Sequence, residues 1–441
     1  MDVKRFGISP RNKPGSTRWF AGFCTTCLLV LPAPRAVPAE PKGDDRIKSI
    51  RMLEIPGEPV VSKVSRAILT DDSFYIAGHS WTEETGEDLW LWRVDRAGKK
   101  LWEKKIHAQG RDSLEVLALL APSTANAKPT DSEGVKLMMA RNSQPVAILV
   151  RPDGEFLPEV KIEKLDGATG ALAVGKDEVL LFGTGRYAKD KQPDVWIARC
   201  DATSALLWKQ VFPLGTAAEQ VPEAPKGTIR NAFLLSAGVL GDGSIVLVGQ
   251  AGAFSKFGTG LSKLHLLRIN QVGEKLSQST IDNALIFPSA RDLIAPCDDG
   301  VLITYTFIDP LELKKEQGPP KFDARAARFD SNLKKVWDKP VPGFSMFTTA
   351  TITGPAPYIT VVADMMEKAI VIRGLSDSGE QVLQARVSEL AGMAFPVQTL
   401  RADGNAIVVC GYNSFGIVDG KREPSQVLLI EVDTKPDAPS Q

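Results

Sequence analysis

The sequence predicts an all-β chain folded as a seven-bladed β-propeller of four-stranded antiparallel blades, and three observations predict it. First, residues 88–106 (DLWLWRVDRAGKKLWEKKI) align without a gap on residues 194–212 (DVWIARCDATSALLWKQVF). The alignment matches Trp90 to Trp196, Arg93 to Arg199, Asp95 to Asp201 and Trp102 to Trp208. Second, each such unit follows another of different grammar: an apolar run, a tight Asp/Gly turn, and a second apolar run. Third, the last copy (426–434) holds one strand only, while the chain opens on a strand without a partner (47–55). A period of about 57 residues with four strands per period is the signature of radial repetition.

The elements follow in order. The first grammar recurs at 146–162, 264–281, 326–341 and 369–387, and in half at 426–434. The second is clearest at 233–250 (FLLSAGVLGDGSIVLVGQ) and recurs at 67–79, 171–185, 292–307 and 397–412. The pair 115–120 and 135–140 is joined by a longer loop, and 349–354 and 358–363 by Pro-Ala-Pro. The runs are short, rich in Val, Ile, Leu and aromatics, and bounded by Gly, Asp, Asn and Pro, which suit hairpin turns. No long stretch carries a capped 3.6-residue apolar period. Residues 47–55 are expected to complete the last blade and so close the ring, leaving only short outer edges. Trp102, Trp208 and Trp337 are expected on outer strands, with Leu53, Leu157, Leu276 and Leu383 in the same role, filling the gap between blades. Arg93, Arg199 and Arg328, each two residues before an Asp, are expected to reach a neighbouring strand, with the Asp capping its own turn.

The unit ending in Asp, six residues and Trp, here RVDRAGKKLW and RCDATSALLW, resembles the repeats of quinoprotein-like and WD-like bacterial propellers. The resemblance covers most of 47–434 and implies the fold. The quinone-binding members are similar in using an adjacent Cys-Cys pair and a calcium site; this sequence has no Cys-Cys dipeptide. No cofactor is expected.

The opening residues read as an export signal. Lys4, Arg5, Arg11, Lys13 and Arg18 precede an apolar run from Trp19 to Leu31, and Val37-Pro38-Ala39 offers small residues for cleavage near Ala39. The run is shorter than the roughly 18 residues that span a bilayer. The expected organisation is a signal peptide over 1–39, a linker over 40–46, the propeller over 47–434 and a disordered tail over 435–441. Cleavage removes six basic residues and one acidic residue from totals of 53 and 53, leaving 47 against 52, a net charge of −5. A mildly acidic monomer of the periplasm or the secreted fraction is expected, with no nucleic-acid partner and no integral span in the mature chain. Cys200, Cys297 and Cys410 are read as small buried hydrophobes.

The search for chemistry excludes more than it finds. His79, His107 and His265 form no spaced motif, and neither a nucleophile elbow nor a phosphate loop occurs. Glu83, Glu84, Glu87 and Asp88 read as a solvated acidic loop. No catalytic or metal-ligating residue is assigned. Loop length is the stronger signal, since binding residues concentrate on long loops held by a rigid scaffold. The B–C connections (80–88, 186–194, 251–263, 308–324, 413–425) and the D–A connection 213–230 are long and share one face, whereas the A–B and C–D turns are short apart from 121–134. The long-loop face carries Trp81, Arg186, Tyr187, Phe254, Phe257, Phe344, Phe347 and Phe415. Arg111, Arg230 and Arg291 are expected just ahead of innermost strands, around the mouth of the channel. Aromatic and Arg side chains there suit a protein or glycan partner. The expected function is a non-catalytic exported scaffold binding through that face; the alternative is a hydrolase or lyase using channel carboxylates such as Asp112 or Glu115.

Overall fold

The computed structural model describes residues 42–434, leaving aside 44, 56–60, 83–85, 109–111, 122–133, 175–177, 185–194, 214–228, 255–261, 287–292, 298, 310–321, 342–346, 352–356, 365–368, 389, 391–392, 402–405, 415–416, 419–420 and 423–424. Every regular element among the described residues is a strand. Two strands open the chain, β1 (Lys42–Gly43) and β2 (Ile47–Glu54). Blade 1 is β3 (Val61–Leu69), β4 (Ser73–Thr82), β5 (Gly86–Asp95) and β6 (Lys100–Ile106). Blade 2 is β7 (Leu114–Leu120), β8 (Val135–Arg141), β9 (Gln144–Val150) and β10 (Val160–Lys161). Blade 3 is β11 (Ala168–Val174), β12 (Glu178–Thr184), β13 (Val195–Cys200) and β14 (Leu206–Phe212). Blade 4 is β15 (Ile229–Val239), β16 (Ile245–Phe254), β17 (Ser262–Ile269) and β18 (Lys275–Asp282). Blade 5 is β19 (Ala284–Leu285), β20 (Ile294–Cys297), β21 (Gly300–Ile308), β22 (Phe322–Asp330) and β23 (Lys335–Pro340). Its innermost position is shared by β19 and β20, which both pair with β21.

Blade 6 is β24 (Phe347–Thr351), β25 (Tyr358–Asp364), β26 (Ala369–Leu375) and β27 (Gln381–Ser388), and β1 adds a short fifth strand to its outer edge. Blade 7 is β28 (Met393–Arg401), β29 (Ala406–Ser414) and β32 (Gln426–Asp433), with a small hairpin of β30 (Ile417–Val418) and β31 (Lys421–Arg422) between the last two. The fourth strand of blade 7 is β2, antiparallel to β32 from Glu54 opposite Gln426 to Ile47 opposite Val432. The chain is therefore a seven-bladed propeller closed by its own opening strand, as the half-copy at the end requires.

Seven apolar clusters fill the gaps between blades, one per interface. Both faces of each blade are covered, so the inner strands read as unbroken apolar runs, as in β25 (YITVVAD) and β26 (AIVIRGL). Bulges near the middle of β3, β7, β11, β15 and β28 turn polar groups sideways across the inner ring. Arg66 Nε donates to Leu117 O at 2.9 Å, Thr169 Oγ1 to Leu234 O at 2.8 Å, and Ala67 N to Gln398 Oε1 at 2.8 Å.

An outer set of contacts repeats around the rim. In blades 1 to 6 the C–D turn places a left-handed residue at Gly98, Gly154, Ser204, Gly273, Leu333 and Gly379. An acceptor at the first turn position holds the loop: Asp201 Oδ1 accepts from Thr203 N and Ala205 N, and Asp330 Oδ1 from Asn332 N and Lys334 N. In blades 2 to 6 the second turn position offers its carbonyl to the preceding blade. Trp102 Nε1 and Arg93 Nη1 both donate to Pro152 O, at 2.8 and 2.9 Å. Arg199 donates likewise to Gln271 O at 2.7 Å and Trp337 to Asp377 O at 2.7 Å, and Arg268 donates to Ser331 O. Gly154, Gly273 and Gly379 lie under Trp102, Trp208 and Trp337, so a Cβ there would meet the indole at 3.0–3.1 Å or less.

The expected leucines follow this scheme only in part. Leu383 does occupy the tryptophan position, opposite Gly374. The bulge after each turn adds one residue, which shifts the register: Ser277, not Leu276, faces Arg268, and Leu276 is turned out to solvent beside Leu101, Leu207, Val336 and Val382 in their own blades. In blade 7 the equivalent position is Ser49, opposite Glu431, and not Leu53. There Arg51 bonds Glu431 and its stem covers Gly98. Cys200 and Cys410 are buried, Cys297 is partly buried, and all three are free thiols.

The rim contacts separate two neighbouring residues of β23. Trp337→Ala removes an interblade indole and its hydrogen bond and should cost about 2–4 kcal/mol. Val336→Ala, at an exposed bulge, should cost less than about 0.5 kcal/mol. Denaturant unfolding of the two variants checks this, and equal losses would contradict the assigned register. Removal of residues 1–55 takes away the partner of β32 and should abolish a single cooperative thermal transition; a truncated chain that melts like the whole one would contradict closure.

Candidate functional site

The B–C and D–A connections leave the ring at one end of the strands. The hairpins there run further than the sequence suggests. β4 and β5 extend through 80–82 and 86–88, β16 through Phe254, and β21 and β22 through 308 and 322–324. Ladders therefore project from the ring where long loops were expected. Arg111, Arg186, Tyr187, Phe257 and Arg291 lie outside the described residues, as do Phe344 and Phe415. Trp81 and Phe254 stand on projecting strands, opposite Val61 and Ile229. Phe347 begins β24. Arg230 lies within β15, opposite Ala253, rather than ahead of it. The side chains of these four lie outside the described residues, as do Arg111 and Arg291, the other two arginines expected at the channel mouth.

What the described residues do bring together is a polar site on blades 1 and 2. Blade 2 has the shortest B–C connection, a two-residue turn with Asn142 and Ser143 both at positive φ (53° and 70°). The turn brings Arg141 between two carboxylates: Nη1 is 3.3 Å from Asp112 Oδ2 and Nη2 is 3.2 Å from Glu159 Oε2. Asn142 Nδ2 donates to Asp112 Oδ1 at 2.7 Å, while Ser113 N donates to Asn142 Oδ1 at 3.0 Å. A cavity of about 270 Å³ opens beside this network, lined by Arg141, Asn142, Gln144, Glu159, Lys161 and Asp166 over the aliphatic Val146 and Leu165. It lies near the lower end of the range for ligand pockets, roughly 300–1,000 Å³. Donors and acceptors alternate around it, an arrangement that vicinal hydroxyls or amides can satisfy.

The acidic stretch 83–88 divides between roles. Glu87 and Asp88 belong to β5, and each meets a histidine. His79, buried on β4, has Nδ1 3.4 Å from Glu87 Oε1 and Nε2 3.4 Å from the Val116 amide, which donates to it. Burial holds its pKa below the ordinary histidine value, opposed by Glu87. Asp88 accepts from Ala108 N at 3.2 Å and lies 3.1 Å from Nδ1 of the exposed His107. Glu115, on the innermost strand β7, acts electrostatically on His79. Asp112 is committed to Arg141 and Asn142, so of the two carboxylates named as channel candidates it serves to position its neighbours.

Sequence reasoning did not single out Arg141, Asn142, Glu159 or Asp166. They are spread over three connections and meet only because the turn is tight. The one signal was Arg-Asn-Ser between two apolar runs, which marks a hairpin and not a binding site.

No protein-family model matches the chain, and no curated protein matches it. Solved structures do. A polysaccharide lyase, the ulvan lyase of family PL25, aligns over 87% of this chain and 95% of its own at 11% identity, with a TM-score of 0.50. The β-propeller domain of the Trilobed protease from Pyrococcus furiosus aligns over 87% and 99% at 6% identity, TM-score 0.45. The WD40 domain of SCAP from fission yeast aligns over 88% and 98% at 8% identity, TM-score 0.38. At these identities the likeness is one of fold alone, and the strand ladders themselves make this chain a β-propeller.

The histidines set a pH dependence. In His265, on β17, burial and Lys263 depress the pKa to about 4. The unfolded chain takes up this proton below about pH 6.5 while the folded chain does not. Stability from this group is therefore full above pH 6.5 and lost as pH falls toward 4. Because the ring is partly exposed, the loss should be about 1–2 kcal/mol. His265→Gln should flatten the fall in melting temperature across that window; an unchanged slope would place the titration elsewhere.

Proposed function

We propose that the protein is an exported, non-catalytic scaffold that binds a glycan or protein of the cell envelope through its B–C/D–A face. The observation that supports this best is the placement on one face of both the projecting strand ladders and the blade 2 cavity, where Arg141 is held by two carboxylates. A rigid, pre-formed set of donors and acceptors loses little freedom when it binds, which favours recognition. On the opposite face the C–D turns of blades 2 to 6 are engaged with the preceding blade. Export follows from the basic and apolar opening residues, with cleavage near Ala39.

A second reading, a hydrolase or lyase, draws on Glu115 beside the buried His79, and on the neighbour described as an ulvan lyase. In that reading Glu115 is the acid–base group and Asp112 positions Arg141.

Binding of the mature chain to an envelope glycan panel and to envelope extracts separates the readings. Arg141→Ala and Glu159→Gln should weaken capture at least about 10-fold, equivalent to roughly 1.4 kcal/mol, while circular dichroism stays unchanged. Undiminished capture would move the site off blade 2. Conversion of a bound polysaccharide to shorter or unsaturated products, lost in Glu115→Gln, would replace the scaffold reading with the enzymatic one.

A further inference from the structure

The joint between blades 1 and 2 includes a hydrogen bond that ends on a titratable group. The interblade bonds near the axis described above are accepted by carbonyl or carboxamide oxygens: Leu117 O, Leu234 O and Gln398 Oε1. A further bond joins blades 1 and 2, and its acceptor is an imidazole: Val116 N, on β7, donates to Nε2 of His79, on β4, at 3.4 Å. His79 is 5% exposed. A backbone amide can only donate. Nε2 is therefore bare, and the ring proton of neutral His79 sits on Nδ1, which lies 3.4 Å from Glu87 Oε1. Protonation of Nε2 would set two donors face to face in the interior, and the bond to Val116 could not persist.

Among the described residues, three strands bring charge to this ring. Glu87 is on β5, Glu115 on β7, and Lys63 on β3, where it pairs with His79. Burial has the largest effect and opposes the imidazolium; Lys63 opposes it too, while Glu87 and Glu115 favour it. On the same blade, His107 and Asp88 lie 3.1 Å from each other. The closed joint excludes a second ring proton. An open joint exposes the ring to water, where it takes one up below about pH 6.5. The advantage of the closed form is full above that pH and falls as pH drops toward the folded value. The strand that carries this joint also carries the blade 2 site. Asp112 holds Arg141 and Asn142, Ser113 N donates to Asn142 Oδ1, and Asn142 N donates back to Ser113 O at 2.9 Å. The segment 112–116 is thus tied to the site at one end and to the imidazole at the other.

We propose that His79 is a proton-sensitive latch between blades 1 and 2, whose release in acid frees the segment 112–116 and loosens the blade 2 site. The latch is a property of the fold. Its use, the release of a bound partner in acid, rests on the binding reading of that site given above.

The test follows hydrogen–deuterium exchange of the mature chain from about pH 7.5 to about pH 5, corrected for the intrinsic exchange rate. Peptides covering 112–118 and 140–146 should open about tenfold more for each pH unit below about 6.5. His79→Gln keeps a neutral side chain able to accept but not to titrate, and should remove this slope whatever it does to overall stability. A second measurement needs no variant. The chain has three histidines, so nitrogen-15 labelling of histidine resolves each ring. His79 should carry its proton on Nδ1 at neutral pH. A flat pH response in the unaltered chain, a slope that survives His79→Gln, or a His79 ring protonated on Nε2 at neutral pH would overturn the proposal. None of these outcomes depends on ligand capture, whereas the capture experiment with Arg141→Ala bears on the reading of the site alone.

Discussion

Each blade of this propeller is apolar on both faces, and only another blade can cover it. That constraint forces the ring. A row of seven such sheets would leave two open faces and an unpaired strand edge. The chain avoids both by giving β2 to β32 and by repeating one interblade layer seven times. Tight apolar packing accounts for the burial but not for the spacing of the blades, because dispersion and hydrophobic burial have little directionality. Spacing is fixed by hydrogen bonds at two radii. Near the axis, bulged strands pass a side chain or an amide to the next blade. At the rim, a Trp or Arg grips the carbonyl of the next turn. The left-handed residue at that turn is what aims the carbonyl backward, so the backbone geometry of one blade sets the position of its neighbour.

Much of the fold was legible. Strand runs, the Asp-to-Trp spacing and the missing final strand were enough for class, blade count and closure. The finer register was not. Leu276 and Ser277 differ by one place, yet one is exposed and the other faces Arg268, because the bulge after the turn adds a residue that the spacing alone does not reveal. Period-two alternation was also of limited use: β25 and β26 are buried on both faces, so nothing in YITVVAD or AIVIRGL separates the two sides. Parity can be assigned only after a neighbouring blade is known.

The site was less legible than the fold for a related reason. Loop length directed attention to the long connections, and most of the residues named there lie outside the described parts of the chain. The polar network that is described sits beside the shortest connection instead. A two-residue turn gives Arg141 little freedom to leave Asp112 and Glu159. Long connections signal where sequence can vary; short ones fix side chains most firmly. Both occur on the same face here, which suits a surface with one rigid anchor and a variable surround.

Why that face and not the other follows from how the ring is held. The C–D turns of blades 1 to 6 each supply a left-handed residue, all but that of blade 2 a side-chain acceptor at the first position, and those of blades 2 to 6 a carbonyl claimed by the preceding blade. Lengthening such a turn would break the interblade contact as well as the hairpin. Among the described residues, the B–C and D–A connections show no contact repeated from blade to blade in this way. They can lengthen, extend their ladders or shrink to two residues without altering the ring. The face free of structural obligation is the face on which recognition can be built, and the blade 2 cavity lies there.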